Sequence, residues 1–570
     1  MSINEEIDAK IVEEPFRVGW PGLTYLPSGI GKRCNYVQMC DLLGGPEVVR
    51  AFRDFAESQV RFVTWNISET RSSHLPKKVV LVSTRCIDSD RKKWRQTAVL
   101  LVQKLQELQV YDDPIGVEIR EYAYPRLMPI EADEDVLSVW ESAIAPKAMS
   151  IMDEESMVWR GLSLVRHGSF DSPECPMTIL IDAAHAEHEH WKPVATKIET
   201  AMQELQSPVS TVTVWQAQDP SHPECEMDSN MWKEPTMEVG HGCAAEGVVD
   251  STGTLGGFLT LMSRTGKDTR LMLTSFDAVN SAKLSKALES DCESAPKSLS
   301  FSNSPSVYPV KVPSDLDFAT QIRKIDEEIT ELERLWDTTR RDRSAFKEVI
   351  AARQKEKEEI LAVKDQDRPA GNLRATSGFQ LCHGDGKTCA LNWALLNIDP
   401  SRPYEDDFLL PSRGLARERR AVQWSLGHPT WALLDDYPTY SGMRRKFKTV
   451  VKVGRTTAWT HGRVNFATCF WKRTLQRCGA SQAADGQSRY GEVLNCFRVE
   501  PYTEHGIFNE VPFAEPGDSG AVVRDEKTGA WVGLVFDFAW GCALMTPIVN
   551  VVKSFEEVTG EKVIVPHPLG

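Results

Sequence analysis

Two stretches in the first 220 residues repeat the same order of apolar and polar positions. Each stretch begins with apolar residues at helical spacing, followed by a short strand pattern and then an apolar run typical of a buried strand. A second segment with helical spacing and a last short strand pattern complete it. Trp94 and Trp191 stand at equivalent places, and the same spacing relates Leu105 to Met202. The pattern predicts a duplicated α-β-β-α-β module. The predicted elements are 47–58, 60–66, 79–83, a helix through 102–108 and 116–119 in the first copy, and 135–152, 158–164, 178–182, a helix through 198–205 and 211–215 in the second.

Beyond residue 242 the pattern changes to short apolar strands that alternate with turn signals as far as about residue 564. A Gly-rich strand entry at 253–259 is followed by a turn at 265–267 and a strand at 270–274. This spacing is typical of an all-β barrel pair. The intervening residues, 219–242, are rich in Pro, Ser, Asp and Met and are interpreted as a linker.

One segment of this β region has helical periodicity instead. Residues 315–364 contain no Gly or Pro, and apolar residues recur at heptad spacing over 322–336 and again from Phe346. One straight helix of this length would separate its ends by roughly 70 Å at 1.5 Å per residue, whereas an insertion between neighbouring strands must return to its start. We therefore predict a helical hairpin that turns near 340–344, with solvated charged faces. The alternative is a coiled coil for partner binding or self-association.

Length and composition fit this division. A chain of 570 residues is too long for one core, so the patterns predict a multidomain protein. The formal charge of −15 argues against a general nucleic-acid or membrane-surface binder, which leaves a protein or peptide as the expected partner. The predicted domains are an N-terminal segment 1–45, α/β repeats 46–125 and 126–218, the linker 219–242, and a β domain 243–570 with the insertion 315–364.

The chain shows no pattern typical of secretion or membrane insertion. No apolar run has the length or purity of a signal peptide or a transmembrane helix. The 13 cysteines are an odd number without close, regular pairs, which favours reduced thiols. These observations predict an intracellular protein, cytoplasmic or nuclear.

The α/β repeats carry little chemistry of their own. Neither copy has a Gly-rich phosphate loop after its first strand, so no cofactor is expected and an interaction or packing role is favoured. His185, His188 and His190 form a short cluster in the second copy. A transition-metal site is the alternative there, but no cysteine or second histidine group is spaced to complete the ligands. A solvated loop is favoured, and no metal is predicted.

The most specific motif is Pro-Gly-Asp-Ser-Gly-Ala-Val-Val at 516–523. Gly517 allows its N–H and that of Ser519 to point at one spot, as in the oxyanion hole of an acyl-transfer enzyme. The motif resembles the nucleophile loop of the chymotrypsin/trypsin superfamily of serine proteases, and the order of motifs extends the resemblance over roughly 245–560. The resemblance implies a chymotrypsin-like double barrel with Ser519 at the position of the nucleophile.

Two further motifs of that superfamily occur in the expected order, each with its catalytic residue replaced. In Leu-Thr-Ser-Phe-Asp-Ala-Val, at 273–279, Asp277 stands where the resemblance implies the general-base histidine. In Asn-Trp-Ala-Leu-Leu, at 392–396, Asn392 stands where it implies the aspartate. The Gly-containing strand 452–457 is also similar to the family.

These replacements predict a loss of activity. A carboxylate, with a reference pKa of about 3.9, is a poor acceptor for a hydroxyl proton, and Asn392 has no charge to stabilise a cation. Loss of the base costs on the order of 10⁶ in kcat, although roughly 10³ over water remains from the oxyanion hole and binding. We expect instead that the Asn392 amide donates to Asp277 and that Asp277 accepts from Ser519.

Three other histidines are candidates for a replacement base. A replacement base must lie within hydrogen-bond reach of Ser519. His383 and His461 are instead predicted to be exposed turn residues. His241 precedes the first barrel strand and is in the wrong chain order.

The resemblance also implies a substrate pocket lined by Phe513, Asp537 and Phe538. The bulky side chain of Phe538 would narrow or close this pocket. The alternative is that Phe538 is an ordinary aromatic residue of the core. The leading hypothesis is an inactive protease homologue, a pseudo-protease kept for binding or regulation. Two alternatives stay open: an active serine endopeptidase with an unrecognised base, and a scaffold that acts through the α/β repeats or the helical hairpin.

Overall fold

The computed structural model of the chain forms two compact units, Met1–Gln218 and Asp219–Gly570. Among the described helices, none is long and apolar enough to cross a membrane. The structure describes residues 7, 10–14, 17–20, 30–33, 36–59, 62–70, 78–84, 93–108, 115–121, 126–131, 134–168, 175–183, 188–216, 236–248, 252–281, 284, 298–301, 308–338, 344–364, 368–378, 380–384, 387–405, 449–474, 490–501, 512–526 and 529–564.

The first repeat lies in a six-stranded mixed sheet. Its elements are β1 (Val12–Glu14), β2 (Arg17–Trp20), β3 (Ile30–Arg33), α1 (Tyr36–Leu43), α2 (Pro46–Gln59), β4 (Phe62–Thr70), β5 (Lys78–Thr84), α3 (Trp94–Glu107) and β6 (Ile115–Glu121). The strand order is β1-β2-β6-β5-β4-β3. β4 is antiparallel to β5, and β5 is parallel to β6 because α3 crosses over between them. The predicted order is present as α2-β4-β5-α3-β6, and β1, β2 and β3 extend the sheet beyond what the sequence predicted.

The second repeat has the same order and the same strand directions. Its elements are β7 (Arg126–Met128), α4 (Val136–Val139), a π-helical turn (Trp140–Ile144), α5 (Ala145–Glu154), β8 (Trp159–Gly168), β9 (Met177–Ala183), α6 (His188–Glu204) and β10 (Thr211–Gln216). β8 is antiparallel to β9, and β9 is parallel to β10. The helical stretch predicted for 135–152 is confirmed, with the π-helical turn in its middle.

Equivalent positions in the two repeats pack alike, with one exception. Trp94 and Trp191 are both buried, as are Leu105 and Met202. The third equivalent pair differs: Leu108 is partly buried against the core of the first unit, whereas Leu205 is 44% exposed. The histidine segment also differs from the expected loop, because His188 and His190 lie at the start of α6; His185 lies outside the described residues.

The second unit is mostly β structure. Its elements are β11 (Met237–Glu238), β12 (Gly242–Ala245), β13 (Gly253–Thr254), β14 (Gly257–Met262), β15 (Asp268–Thr274), α7 (Phe276–Val279), β16 (Leu299–Ser300), β17 (Pro309–Lys311), α8 (Asp315–Thr338), α9 (Ser344–Lys364), β18 (Pro369–Thr376), β19 (Gln380–Gly384), β20 (Lys387–Leu391), β21 (Ala394–Ile398), β22 (Tyr404–Glu405), β23 (Thr449–Gly454), β24 (Ala458–Thr474), β25 (Tyr490–Pro501), β26 (Val522–Asp525), β27 (Trp531–Ala539), β28 (Cys542–Pro547), α10 (Ile548–Thr559) and β29 (Lys562–Val563).

A closed antiparallel barrel of six strands forms the later half of this unit. Its order is β24-β23-β26-β27-β28-β25, and pairing of β25 with β24 closes the ring. Inward-facing apolar side chains fill it, among them Val464, Phe497 and Met545. This half confirms the expected barrel.

The earlier half is a curled antiparallel sheet of eight strands, in the order β13-β12-β17-β18-β21-β15-β14-β29. Helix α10 accompanies it, although the sequence predicted strands rather than a helix over 548–559. The Phe555 ring of α10 meets Trp393 edge-on at a centroid distance of 4.7 Å, and the Trp393 indole donates to Ser554 at 3.1 Å. The hydrophobic face of this helix therefore covers the sheet.

The predicted helical hairpin is confirmed as the pair α8 and α9. The flanking strands β17 and β18 are antiparallel neighbours, so the ends of the insertion return to one place. Phe318, Ile325 and Ile360 are buried between the helices, and the Arg353 guanidinium meets Glu328 across them at 2.9 Å. The heptad stripe is thus used inside the pair. Of the turn predicted at 340–344, Ser344 is the first residue of α9 and 340–343 lie outside the described residues.

Candidate active site

The nucleophile loop lies where the barrel meets the curled sheet. It joins β25 to β26, and Ser519 is partly exposed. From the curled sheet, the Thr254 N–H donates to the Ser519 carbonyl at 2.8 Å, and the Thr254 hydroxyl donates to the Gly517 carbonyl at 2.8 Å. From the barrel, the Gly520 N–H donates to the Val535 carbonyl at 2.8 Å. The loop is therefore held from both sides.

Asp277 and Asn392 lie together at one edge of the curled sheet. Asp277 is in the first turn of the short helix α7, and Asn392 lies between β20 and β21. The Asn392 amide donates to the Asp277 carboxylate at 2.6 Å, as expected, and its carbonyl oxygen accepts the Asp277 main-chain N–H at 3.2 Å. Because Asn392 is buried, this two-point contact ties α7 to the sheet.

The Ser519 hydroxyl does not follow the expected route to Asp277. It donates to the main-chain carbonyl of Phe536 at 3.0 Å. Phe536 lies at a register shift between β27 and β28. The same carbonyl is 3.5 Å from the Asn392 amide nitrogen, so Ser519 and Asn392 converge on one acceptor. A peptide carbonyl accepts a hydrogen bond but is no base at neutral pH, so this contact orients Ser519 without activating it.

Two main-chain N–H groups of the loop bear on the expected oxyanion hole. Gly517 has φ +99°, a conformation that favours glycine. Within the part of the chain that the structure describes, the N–H groups of Gly517 and Ser519 have no hydrogen-bond acceptor. These are the two groups expected to form an oxyanion hole.

Asp518 anchors the loop inside the barrel. Its carboxylate is fully buried and accepts from the Lys452 ammonium at 3.0 Å, the Thr457 hydroxyl at 2.6 Å and the Thr456 N–H at 2.8 Å. Burial lowers the pKa of Lys452 below its usual value, while the facing Asp518 carboxylate opposes that shift. The ion pair fixes the residue before Ser519, because breaking it would leave a buried charge without a partner.

A second buried ion pair joins the loop to the helical hairpin. Asp317, in the first turn of α8, pairs with the Arg455 guanidinium. Ser314 caps the same turn, because its hydroxyl accepts the Asp317 N–H at 3.2 Å, and its own N–H donates to the Asp317 carboxylate at 2.9 Å. The Arg455 main-chain N–H donates to the Thr254 hydroxyl at 3.0 Å. That hydroxyl in turn donates to the Gly517 carbonyl. The base of the hairpin is therefore part of the polar network around the loop.

His461 is not placed to act as a base for Ser519. It lies in β24 and is half-buried, so the predicted exposed turn is wrong. Its Nε2 accepts from the Trp459 indole at 3.0 Å, and its Nδ1 lies 3.2 Å from the Glu526 carboxylate. The imidazole therefore lies against Trp459 and Glu526.

The other two histidines also have partners elsewhere. His383 is exposed, as predicted, but it lies on strand β19 rather than in a turn, and its Nδ1 lies 3.1 Å from the Thr388 hydroxyl. The imidazole of His241 is buried and accepts from the Glu238 N–H at 3.2 Å.

The three residues expected to line a substrate pocket have different surroundings. Phe513 is fully buried in the barrel core. Asp537 accepts from the Trp471 indole at 2.9 Å and from the Phe538 N–H at 2.9 Å. Phe538 is half-buried and packs against the barrel core.

Sequence reasoning missed the residues that hold the loop, namely Lys452, Arg455, Asp317 and Phe536. One signal was present: Lys452 interrupts an apolar strand pattern, which in a barrel indicates a buried partner of opposite charge. Phe536 acts through its carbonyl, so its side chain could give no such signal.

No protein-family model matches this sequence, and none of the curated proteins is similar enough to match it.

Proposed function

We propose that the second unit is a chymotrypsin-like pseudo-protease domain, which binds a protein or peptide at the Ser519 loop without cleaving it. The order of motifs, together with a closed barrel beside a curled sheet, supports the relation to serine proteases. The fold supports the relation to serine proteases but not the activity, because fold does not determine activity.

One observation carries the proposed loss of activity. The Ser519 hydroxyl donates to the Phe536 carbonyl at 3.0 Å, while the Asp277 carboxylate accepts from Asn392. An acyl transfer needs a base that removes the serine proton and returns it to the leaving group. Neither a peptide carbonyl nor a carboxylate fixed by an amide does this at neutral pH, and the cost of a missing base is on the order of 10⁶ in kcat.

The binding role is supported by what the loop retains. The N–H groups of Gly517 and Ser519 have no acceptor among the described residues, and Asp518 and Arg455 hold the loop rigidly through buried pairs. Preorganised donors of this kind bind a carbonyl or carboxylate oxygen without reorganisation.

A fluorophosphonate probe tests the proposal directly, because it reacts only with an activated serine. We expect no labelling of the wild-type chain and labelling of Ser519 in the double variant Asp277→His/Asn392→Asp. The same double variant with Ser519→Ala is the control for labelling elsewhere. Strong labelling of the wild type that disappears in Ser519→Ala would overturn the proposal and favour an active endopeptidase.

A further inference from the structure

Two pairs of cysteines face each other across neighbouring strands of the second unit. Cys382 on β19 stands directly opposite Cys389 on β20, and Cys469 on β24 stands directly opposite Cys496 on β25. All four are free thiols. The sequence spacing showed no such pairs, because the facing positions are set by strand register.

The geometry of each pair fits a disulfide. Directly opposed residues of antiparallel strands have Cα atoms about 4.5–5.5 Å apart, within the range of about 4.4–6.8 Å that a disulfide spans. The Cys389 thiol lies close enough to Cys382 to raise the pKa of its thiol. No backbone rearrangement is needed to bring the sulfurs together.

The two pairs differ in access to solvent. Cys382 is half-buried, whereas Cys469 and Cys496 are each 1% exposed. Strand β20 is held beside β25 by the Thr388 N–H, which donates to the Asn495 side chain at 3.0 Å. A soluble oxidant therefore reaches Cys382 before it reaches the inner pair.

We propose that Cys382 and Cys389 are a redox-active dithiol that hydrogen peroxide converts to a cross-strand disulfide, while Cys469 and Cys496 remain reduced. The Cys382 sulfur attacks one peroxide oxygen, which gives a sulfenic acid and water. The Cys389 sulfur then displaces the sulfenic oxygen as a second water and forms the S–S bond. The dithiol loses two electrons and two protons, and the peroxide accepts both.

The neighbouring Cys389 thiol and burial raise the pKa of Cys382, so the neutral thiol predominates and the first step is slow. The disulfide, once formed, would close the β19–β20 hairpin immediately before Asn392. This inference does not depend on the proposed function, because it concerns thiols that take no part in the Ser519 network.

Peptide mapping of the folded full-length chain tests the proposal. Trypsin cuts after Lys387, between the two cysteines, so the disulfide links two peptides that separate on reduction. After peroxide treatment and alkylation in denaturant, we expect this linked pair, with Cys469 and Cys496 recovered as alkylated thiols. Recovery of Cys382 and Cys389 as unlinked thiols or sulfonic acids would overturn the proposal.

Two serine variants separate the pairs. Cys382→Ser, at the more exposed position, should abolish the linked peptides, whereas Cys469→Ser should leave their yield unchanged. If Cys469→Ser perturbs folding, the wild-type map still decides, because a Cys389 peptide linked to any cysteine other than Cys382 would overturn the proposal. Stoichiometric zinc in the purified wild type, lost in Cys382→Ser, would also overturn the dithiol assignment.

Discussion

The side-chain amide of Asn392 donates a 2.6 Å hydrogen bond to the carboxylate of Asp277, and its oxygen accepts the Asp277 N–H. The residues at the two positions where the resemblance implies histidine and aspartate are therefore complementary hydrogen-bonding partners. An aspartate at 392 would face a second carboxylate, whereas asparagine supplies the donor that Asp277 requires.

Replacing this donor by an acceptor should destabilise the fold. We expect Asn392→Asp to lower the free energy of unfolding at neutral pH by about 1–3 kcal/mol, because a buried hydrogen bond becomes a pair of like charges. The like-charge pair raises one carboxyl pKa, so the loss should shrink as the pH falls. Urea unfolding at neutral and acidic pH measures this. Asn372→Asp, at an exposed position, is the control, and equal losses in the two variants would contradict the prediction.

The conformation at Gly517 should tolerate no side chain. A Cβ atom there would lie 2.6 Å from the Arg455 guanidinium and from the Thr456 hydroxyl, at φ +99°. Gly266 has a similar φ of +76°, but no described atom lies within 4 Å of its Cβ position. Both alanine variants incur roughly 1–2 kcal/mol of backbone strain, and Gly517→Ala should cost measurably more in thermal unfolding. Gly517→Ala should also reduce fluorophosphonate labelling in the Asp277→His/Asn392→Asp background, which Gly266→Ala should not.

The Arg455–Asp317 pair should contribute far more to stability than the exposed ion pairs of the hairpin. Arg455→Met leaves the buried Asp317 carboxylate without its cation, for which we expect a loss of about 3–5 kcal/mol. Arg323→Met removes an exposed contact with Glu327 on the same helix and should cost less than about 1 kcal/mol. Urea unfolding compares the two. Similar values would show that the hairpin is not anchored through Asp317.

Glu515, beside the nucleophile loop, should make stability depend on pH. Burial, and then the Asp518 carboxylate, raise the pKa of Glu515 above its ordinary 4.5. The folded state therefore holds the Glu515 proton more tightly than the unfolded chain does. The stability that this proton contributes is present below the ordinary pKa and is lost as the pH rises through the raised pKa. Glu515→Gln should match the wild type in acid and become the more stable of the two as the pH rises. A difference in melting temperature that does not grow with pH would contradict this.

Local patterning was sufficient for the five predicted elements of each repeat and for the helical hairpin. Apolar runs bury themselves in sheets, and a heptad stripe must pair with another helix, so such elements follow from residue periodicity. Helix α10 was missed because Ile548–Thr559 directly continues the apolar stretch of the preceding strand, so the helical spacing of its apolar residues does not stand out. The π-helical turn in the second repeat was likewise invisible, since its residues have no distinctive pattern.

For the candidate site, the sequence by itself determined the identity of three groups: a serine in a Gly-Asp-Ser-Gly turn, an aspartate and an asparagine in place of the expected partners. Only the tertiary structure decided their connections. Ser519 donates to a carbonyl at a strand irregularity, and the loop is held by Lys452 and Arg455 from other elements. Cysteine pairing was decided in the same way. Main-chain acceptors, ion pairs between distant segments and strand register depend on how elements meet in space, and residue identity alone does not encode that.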